Sequence, residues 1–289
     1  MTVPVAVPAP RQRSLPLDQA HGLRQRFAGQ QCRFVPLVHN PQLACAGVVM
    51  ERLCAAFGAQ GLRTLVVDAA DSASAPHQLA TVDLAACIET LSDQVSYLAA
   101  RGLPMHFLDN RATMAGFLEA LRLAAGTADV VLLHAGALDL RRIFAGRAPR
   151  PVLLADDRAD SLTQAYGAMK LLSQRLGTLT YDLVVVADDL STARAQSLGE
   201  RLADCADHFL GAALRQVAQI DPLSLPNAPL RADLCRLAVD QLVSFTATGG
   251  HAPAHALAAL PFLPVPPAAM ARQRRSAQSA VPIELSGAR

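Results

Sequence analysis

From Arg33 onward, short apolar runs alternate with longer stretches of helical periodicity. The runs are RFVPLV (33–38), RTLVVD (63–68), MHFLD (105–109), DVVLLH (129–134), PVLLA (151–155), YDLVVVA (181–187) and QVAQI (216–220). Between them, apolar residues recur every three to four positions over 42–60, 83–100, 111–125, 160–176, 192–206 and 231–243. Runs that are apolar at successive positions suit strands buried on both faces. Strands alternating with helices through short connections imply right-handed βαβ units and a parallel sheet. The pattern predicts an α/β fold: a doubly wound, mostly parallel sheet with helices on both faces, spanning residues 32–245.

The flanks read differently. Residues 1–16 are Pro-rich, and 1–31 is expected to be a flexible segment carrying one short amphipathic helix at 17–28. In that helix Leu17, Ala20, Leu23 and Phe27 fall near one face, and Asp18 sits in the first turn, where a carboxylate meets free N–H groups. Residues 246–289 are rich in Ala and Pro and predict a flexible tail. The start MTVPVAVPAPRQRS has no charged residue ahead of a long apolar core, so no signal peptide is expected. The most apolar stretch, APAHALAALPFLPVPPAAMA, is broken by prolines that forbid a spanning helix. A soluble, cytoplasmic protein is expected.

Composition narrows this further. The 289 residues are 52% apolar, enough for a substantial core. The net charge of +2 gives no strong pull toward nucleic acid or membrane. With 4% aromatic residues and no Trp, stacking platforms for single strands are poorly supplied, so no nucleic acid partner is expected. The six cysteines form no C-x-x-C pair, which favours buried reduced thiols over a disulfide framework or a zinc site. Of 26 basic residues a single one, Lys170, is lysine.

The first strand, turn and helix, RFVPLVHNPQLACAGVVMERL (33–53), stand where a nucleotide-binding α/β protein places its phosphate loop. The turn His39-Asn40-Pro41-Gln42 has no Gly pair and no Gly-Lys-Ser/Thr. Gly47 is present, but no lysine is available anywhere before residue 170. Phosphate loops use Gly-rich backbone N–H groups as a cradle and lysine to neutralise charge. Pro41 also removes a backbone donor.

Four further stretches carry a family resemblance. They are DQAHGLR (18–24), GLRTLVVDAAD (61–71), DSLTQAYGAMKLL (160–172) and ADHFLGAALRQVAQI (206–220). In this order they resemble the MinD/ParA class of deviant P-loop ATPases and, more narrowly, the flagellar-number regulators FlhG and FleN, over about residues 17–242. The resemblance implies that Asp18, Gln19, Ala20, Leu23 and Arg24 form an activator helix for a protein partner, an FlhF-type GTPase. Gln19 would reach the partner's site, since a glutamine amide can orient an attacking water. The residues themselves equally suit an ordinary amphipathic helix packed on its own domain.

The same resemblance exposes departures. The class motif K-G-G-x-x-x-K-[ST] has no lysine here. Asp68 falls on the first aspartate of the second-strand motif, while the second is Ala70 unless Asp71 has taken its role. His134 stands where the class has a Walker B aspartate, and a neutral imidazole is a poor Mg²⁺ ligand. Ala187 stands where an adenine-reading asparagine is common. His39, Asn40, Gly47, Asp68, Asp71, His134 and Ala187 thus mark a degenerate nucleotide cleft, with no catalytic residue, no cofactor and no metal expected. The reading is a non-catalytic pseudo-ATPase that regulates flagellar assembly or number by binding protein. The alternatives are an active MinD/ParA-like ATPase with an unconventional phosphate loop, or a pseudo-ATPase serving cellulose secretion or pilus positioning. A homodimer is compatible with the sequence. Membrane contact is expected to be weak or absent, because the basic stretch at 272–275 in the tail lacks an amphipathic apolar face.

Other chemistry is less well supplied. The histidines at 21, 39, 77, 106, 134, 208, 251 and 255 give no zinc spacing, and His251 and His255 lie in the Ala/Pro tail. His39 and His134 end parallel strands at the carboxyl edge of the sheet, where they either do acid–base work or fill the space a nucleotide has left. Asp156-Asp157 and Asp188-Asp189 close strands on the same edge, where they either form a carboxylate cluster for a cation or, the favoured reading, are solvated loop ends. Cys45 lies near a helix start, where a thiol pKa can fall. There is no G-x-S-x-G elbow.

Overall fold

The computed structural model describes residues 32–187, 192–225 and 228–243. The amphipathic segment at 17–28, the tail from 246 and Asp188-Asp189 lie outside them. Among the described residues no helix is long and apolar enough to cross a membrane.

Among the described residues eight strands form one sheet in the order β3-β4-β2-β5-β1-β6-β7-β8. They are β1 (Arg33–Val38), β2 (Thr64–Asp68), β3 (Glu89–Thr90), β4 (Val95–Ala99), β5 (Val130–Ala135), β6 (Val152–Ala155), β7 (Thr180–Val186) and β8 (Ala213–Ile220). Among these strands the β3–β4 pair is antiparallel and the others are parallel. Strand β1 lies between β5 and β6, where the order reverses, and α/β sheets bind ligands at that switch point.

The helices are α1 (Ala46–Gly58), α2 (Ala115–Ala124), α3 (Ala137–Ile143), α4 (Ala159–Leu176), α5 (Thr192–Leu210) and α6 (Ala232–Val243). One core packs α2 to α5 on one face of the sheet through residues such as Phe117, Leu140, Met169 and Leu202. The other packs α1 and α6 on the opposite face through Val49, Leu53, Phe57 and Leu237. Helix α4 stops at Gly177, whose φ of +74° an L side chain would resist.

Pro36 in a central strand has a local explanation. The N–H groups of Arg33 and His39 both reach toward the β5 side, to Asp129 and Ala135. Alternation then turns the nitrogen of residue 36 toward β6, and β6 pairs only from Leu37 onward. The missing donor falls beyond the ladder.

Two sequence expectations are corrected here. MHFLD is not a strand; residues Leu103–Phe107 form a 3-10 turn with Pro104 in its first turn. The stretch 83–100 is not a helix; it holds a 3-10 turn at Ala85–Cys87 and the β3–β4 hairpin. Helix α3, over Ala137–Ile143, leaves no mark in the periodicity because it is barely two turns long.

Candidate functional site at the carboxyl edge of the sheet

Strand parity decides which cleft residues meet. Asp68 pairs in register with His134, and Leu37 pairs with His134 on its other side. Val66, Leu132 and Leu37 all point into the α1/α6 core. Two residues further along each strand, Asp68, His134 and His39 therefore point the same way, at the strand ends.

The three form a hydrogen-bonded row. His134 Nδ1 lies 2.8 Å from Asp68 Oδ1, and His134 Nε2 lies 3.3 Å from His39 Nδ1. The rings meet edge to face with centroids 5.1 Å apart. His134 is 1% exposed, so its partners are these two groups and not solvent. An ionised carboxylate only accepts, so His134 donates from Nδ1. Its Nε2 then accepts from His39, whose outer nitrogen keeps a lone pair on the half-buried side. Asp68 Oδ1 also accepts from the Ala70 N–H at 3.3 Å. The His39 pKa is lowered, first by burial and then by His134; Asp71 and Asp68 work against both.

Asn40 closes the loop that follows β1. It is 3% exposed, and its amide nitrogen donates to Leu154 O at 2.8 Å, Ser161 O at 3.0 Å and Ser161 Oγ at 3.1 Å. Its side-chain oxygen accepts from the Gln42 N–H at 3.0 Å, and its carbonyl accepts from the Leu43 N–H at 3.0 Å. Two backbone donors of the loop are thereby turned inward onto Asn40. Arg158 adds a clamp, donating to Gln42 O and to Asp156 Oδ2. Burial works to raise the Asp156 carboxyl, but hydrogen bonds from Arg158 and Ser161 hold it below the usual range. Asp156 is thus a fixed part of the turn and not the solvated loop end the sequence suggested.

The remaining cleft residues stand apart from this network. Gly47 is the second residue of α1, and a Cβ there would meet nothing within 4 Å, so no close approach requires a glycine. Asp71 is exposed after β2 and lies outside the row, while Ala70, at the second-aspartate position, is buried and gives its N–H to Asp68. Ala187 is buried at the end of β7, with its N–H bonded to Ile220 O. Lys170 is exposed on α4, 11 residues beyond Ala159, which is about 16 Å along the helix from its start. Cys45 shows no sign of thiol activation. It occupies the cap position of α1, yet burial raises its pKa, outweighing the hydrogen bond from its own backbone. It is not an activated thiol. Among the described residues no group of three or more His, Cys, Asp or Glu side chains could hold a metal ion.

Asp68, His134, His39 and Asn40 are identifiable from sequence; Ser161, Arg158 and the Leu154 carbonyl, which hold the loop, are not. Those partners lie more than 100 residues away in the chain. The only local trace is the polar run DDRADS after β6.

No protein-family model matches the chain, and no curated protein matches it in sequence. Solved structures do match. The cell division protein MinD of Aquifex aeolicus is 12% identical, covers 73% of this chain and 97% of its own, and has a TM-score of 0.51. The ATP complex of a McdA variant from Cyanothece is 10% identical, covers 73% and 96%, and has a TM-score of 0.52. The eight-stranded order, the helices on both faces and these two likenesses agree: the chain has the P-loop ATPase-like α/β fold of the MinD/ParA class.

Proposed function

We propose that this protein is a non-catalytic member of the MinD/ParA fold class that acts by binding another protein, in the control of flagellar assembly or number. One observation carries the non-catalytic part. In the loop after β1, the N–H groups of Gln42 and Leu43 are spent on Asn40, and Asn40 is itself held by Leu154 and Ser161. A phosphate cradle needs such donors turned outward with a lysine beside them. Here the loop is closed on its own side chain and the one lysine lies far along α4. His134, in the place of a Mg²⁺-binding aspartate, is committed to Asp68 and His39.

The partner assignment rests on the sequence DQAHGLR. Asp18, Gln19, Ala20, Leu23 and Arg24 are the residues that would dock on an FlhF-type GTPase, with Gln19 assisting hydrolysis. The test is GTP turnover by such a GTPase with and without the full chain and a peptide spanning residues 14–28. Stimulation by both, lost on Gln19→Ala, is the expected result. Absence of stimulation by either would remove the flagellar assignment while leaving the closed loop as it stands.

A further inference from the structure

The amino-terminal edge of the sheet is one row of paired residues. Arg33 pairs with Val130, Val130 with Thr64, and Thr64 with Val95. Neighbouring strands lie about 4.8 Å apart, so the start of β1 stands about 10 Å from the start of β2. The Arg33 N–H donates to Asp129 O at 3.0 Å and fixes the chain there. The residues before Cys32 therefore enter the domain at this edge, at the end of the sheet opposite the His39–His134 row.

A cavity of about 420 Å³ lies beside that entry point. Ala124, Ala125 and Ala128, just ahead of β5, line one side, and Ala85 and Ile88 line another. Ile88, Ala124 and Ala125 pack against the same core as Cys32, so the cavity and the incoming chain share one face of the sheet. Burial there pushes the Cys32 thiol up to about 11. Walls built of alanine leave room that larger side chains fill. Leu91, between two residues of the lining, is 62% exposed. Asp93 also lines the cavity; it is exposed and forms no ion pair among the described residues.

The chain carries a match for this surface. Ahead of Cys32, Leu17, Ala20, Leu23 and Phe27 fall near one face at helical spacing, with Arg24 and Arg26 elsewhere. Phe27 precedes Cys32 by five residues, a reach of roughly 17 Å at full extension. The cavity lies within that reach. A segment tethered so closely has an effective concentration on the order of millimolar. The chain after Val243 is a poorer candidate, because α6 packs on the opposite face of the sheet.

We propose that residues 17–28 dock as a helix on this cavity of their own chain. Phe27 and Leu23 seat against the alanine walls, and the basic side chains of Arg24 and Arg26 turn toward Asp93. The cavity takes the side chains of one helix face, not the helix itself. Ala20 and Leu23 are covered in this state, so a protein that binds the segment must first displace it. That regulatory consequence rests on the partner reading given above; the docking does not.

Limited trypsin digestion of the full chain, read by mass spectrometry, tests the docking. Arg11 and Arg13 lie outside the segment, and Arg24 and Arg26 lie within it. Cleavage after Arg24 and Arg26 should be at least about tenfold slower than after Arg11 and Arg13. Ala125→Arg fills the cavity and should bring the rates together. Leu23→Ser with Phe27→Ser, which leaves the described domain untouched, should do the same and should quicken amide exchange over 124–128. Equal rates in the wild type overturn the proposal, as does protection that survives either variant. Protection that fades over about a hundredfold dilution assigns the cavity to a second copy's segment and equally overturns it. No GTPase enters the experiment, so its failure is distinct from failure of the partner reading.

Discussion

His39 and His134 share a hydrogen bond in which only one of the two facing nitrogens can carry a proton. The separation is 3.3 Å, and His134 is anchored from behind by Asp68 at 2.8 Å. A proton added to His39 enters a half-buried site next to a second imidazole, which lowers its pKa from 6.5. Because the folded value lies below the unfolded one, the unfolded chain binds more protons in the window between them. Stability from this group is therefore present above about pH 6.5 and is lost as pH falls through the folded value. Chemical denaturation between about pH 5 and 8 should show wild type losing stability on acidification more steeply than His39→Gln. Equal slopes would contradict the geometry.

Asn40 provides a separate check on the closed loop. Replacing it with Ala leaves the Leu154 carbonyl, the Ser161 groups and the Gln42 N–H without their partner. The expected loss is about 1–3 kcal/mol, read as a lower urea midpoint with an unchanged m-value. An unaltered midpoint would mean that the amide does not hold the loop.

A buried ion pair at the opposite edge of the sheet tests the fold itself. Arg150 Nε lies 3.1 Å from Asp182 Oδ2, and Asp182 is fully buried. The guanidinium also lies 3.6 Å from Asp240, and its contacts are charge contacts more than aligned hydrogen bonds. Gln241 Nε2 and the Gln216 N–H donate to Asp182 at 2.7 and 3.1 Å. Burial raises the Asp182 carboxyl, and Arg150 opposes that. Arg150→Met should cost about 3–5 kcal/mol at neutral pH, because it strands a buried charge. Without Arg150 the carboxyl rises further, so the deficit relative to wild type should shrink as pH falls toward about 4. Arg150→Met combined with Asp182→Leu should recover part of the loss. A deficit independent of pH would mean that lost packing, not the stranded charge, is responsible.

Much of this architecture is legible in the sequence because it follows from periodicity. Apolar runs such as DVVLLH and YDLVVVA must be buried on both faces, and they form β5 and β7. The β3–β4 hairpin is hidden because it lies at the sheet margin. Glu89 and Thr90 are exposed and Val95, Ser96 and Tyr97 are only partly covered, so no continuous apolar run marks them. The spacing of Leu84, Ile88 and Leu91 imitates a helix there. In the site, the unusual residues Asn40 and His134 are visible in the sequence, but what they accomplish is not. Their meaning depends on Leu154, Ser161 and Asp68, which only the register of β1, β2, β5 and β6 brings within reach.

The central claim is that the loop after β1 no longer holds phosphate. Isothermal titration of the full chain with ATP and with ADP, each with Mg²⁺, tests it most directly. The closed Asn40 loop, the absence of lysine before residue 170 and the committed His134 predict no saturable heat up to about 1 mM nucleotide. Micromolar affinity that depends on Mg²⁺ would contradict the account.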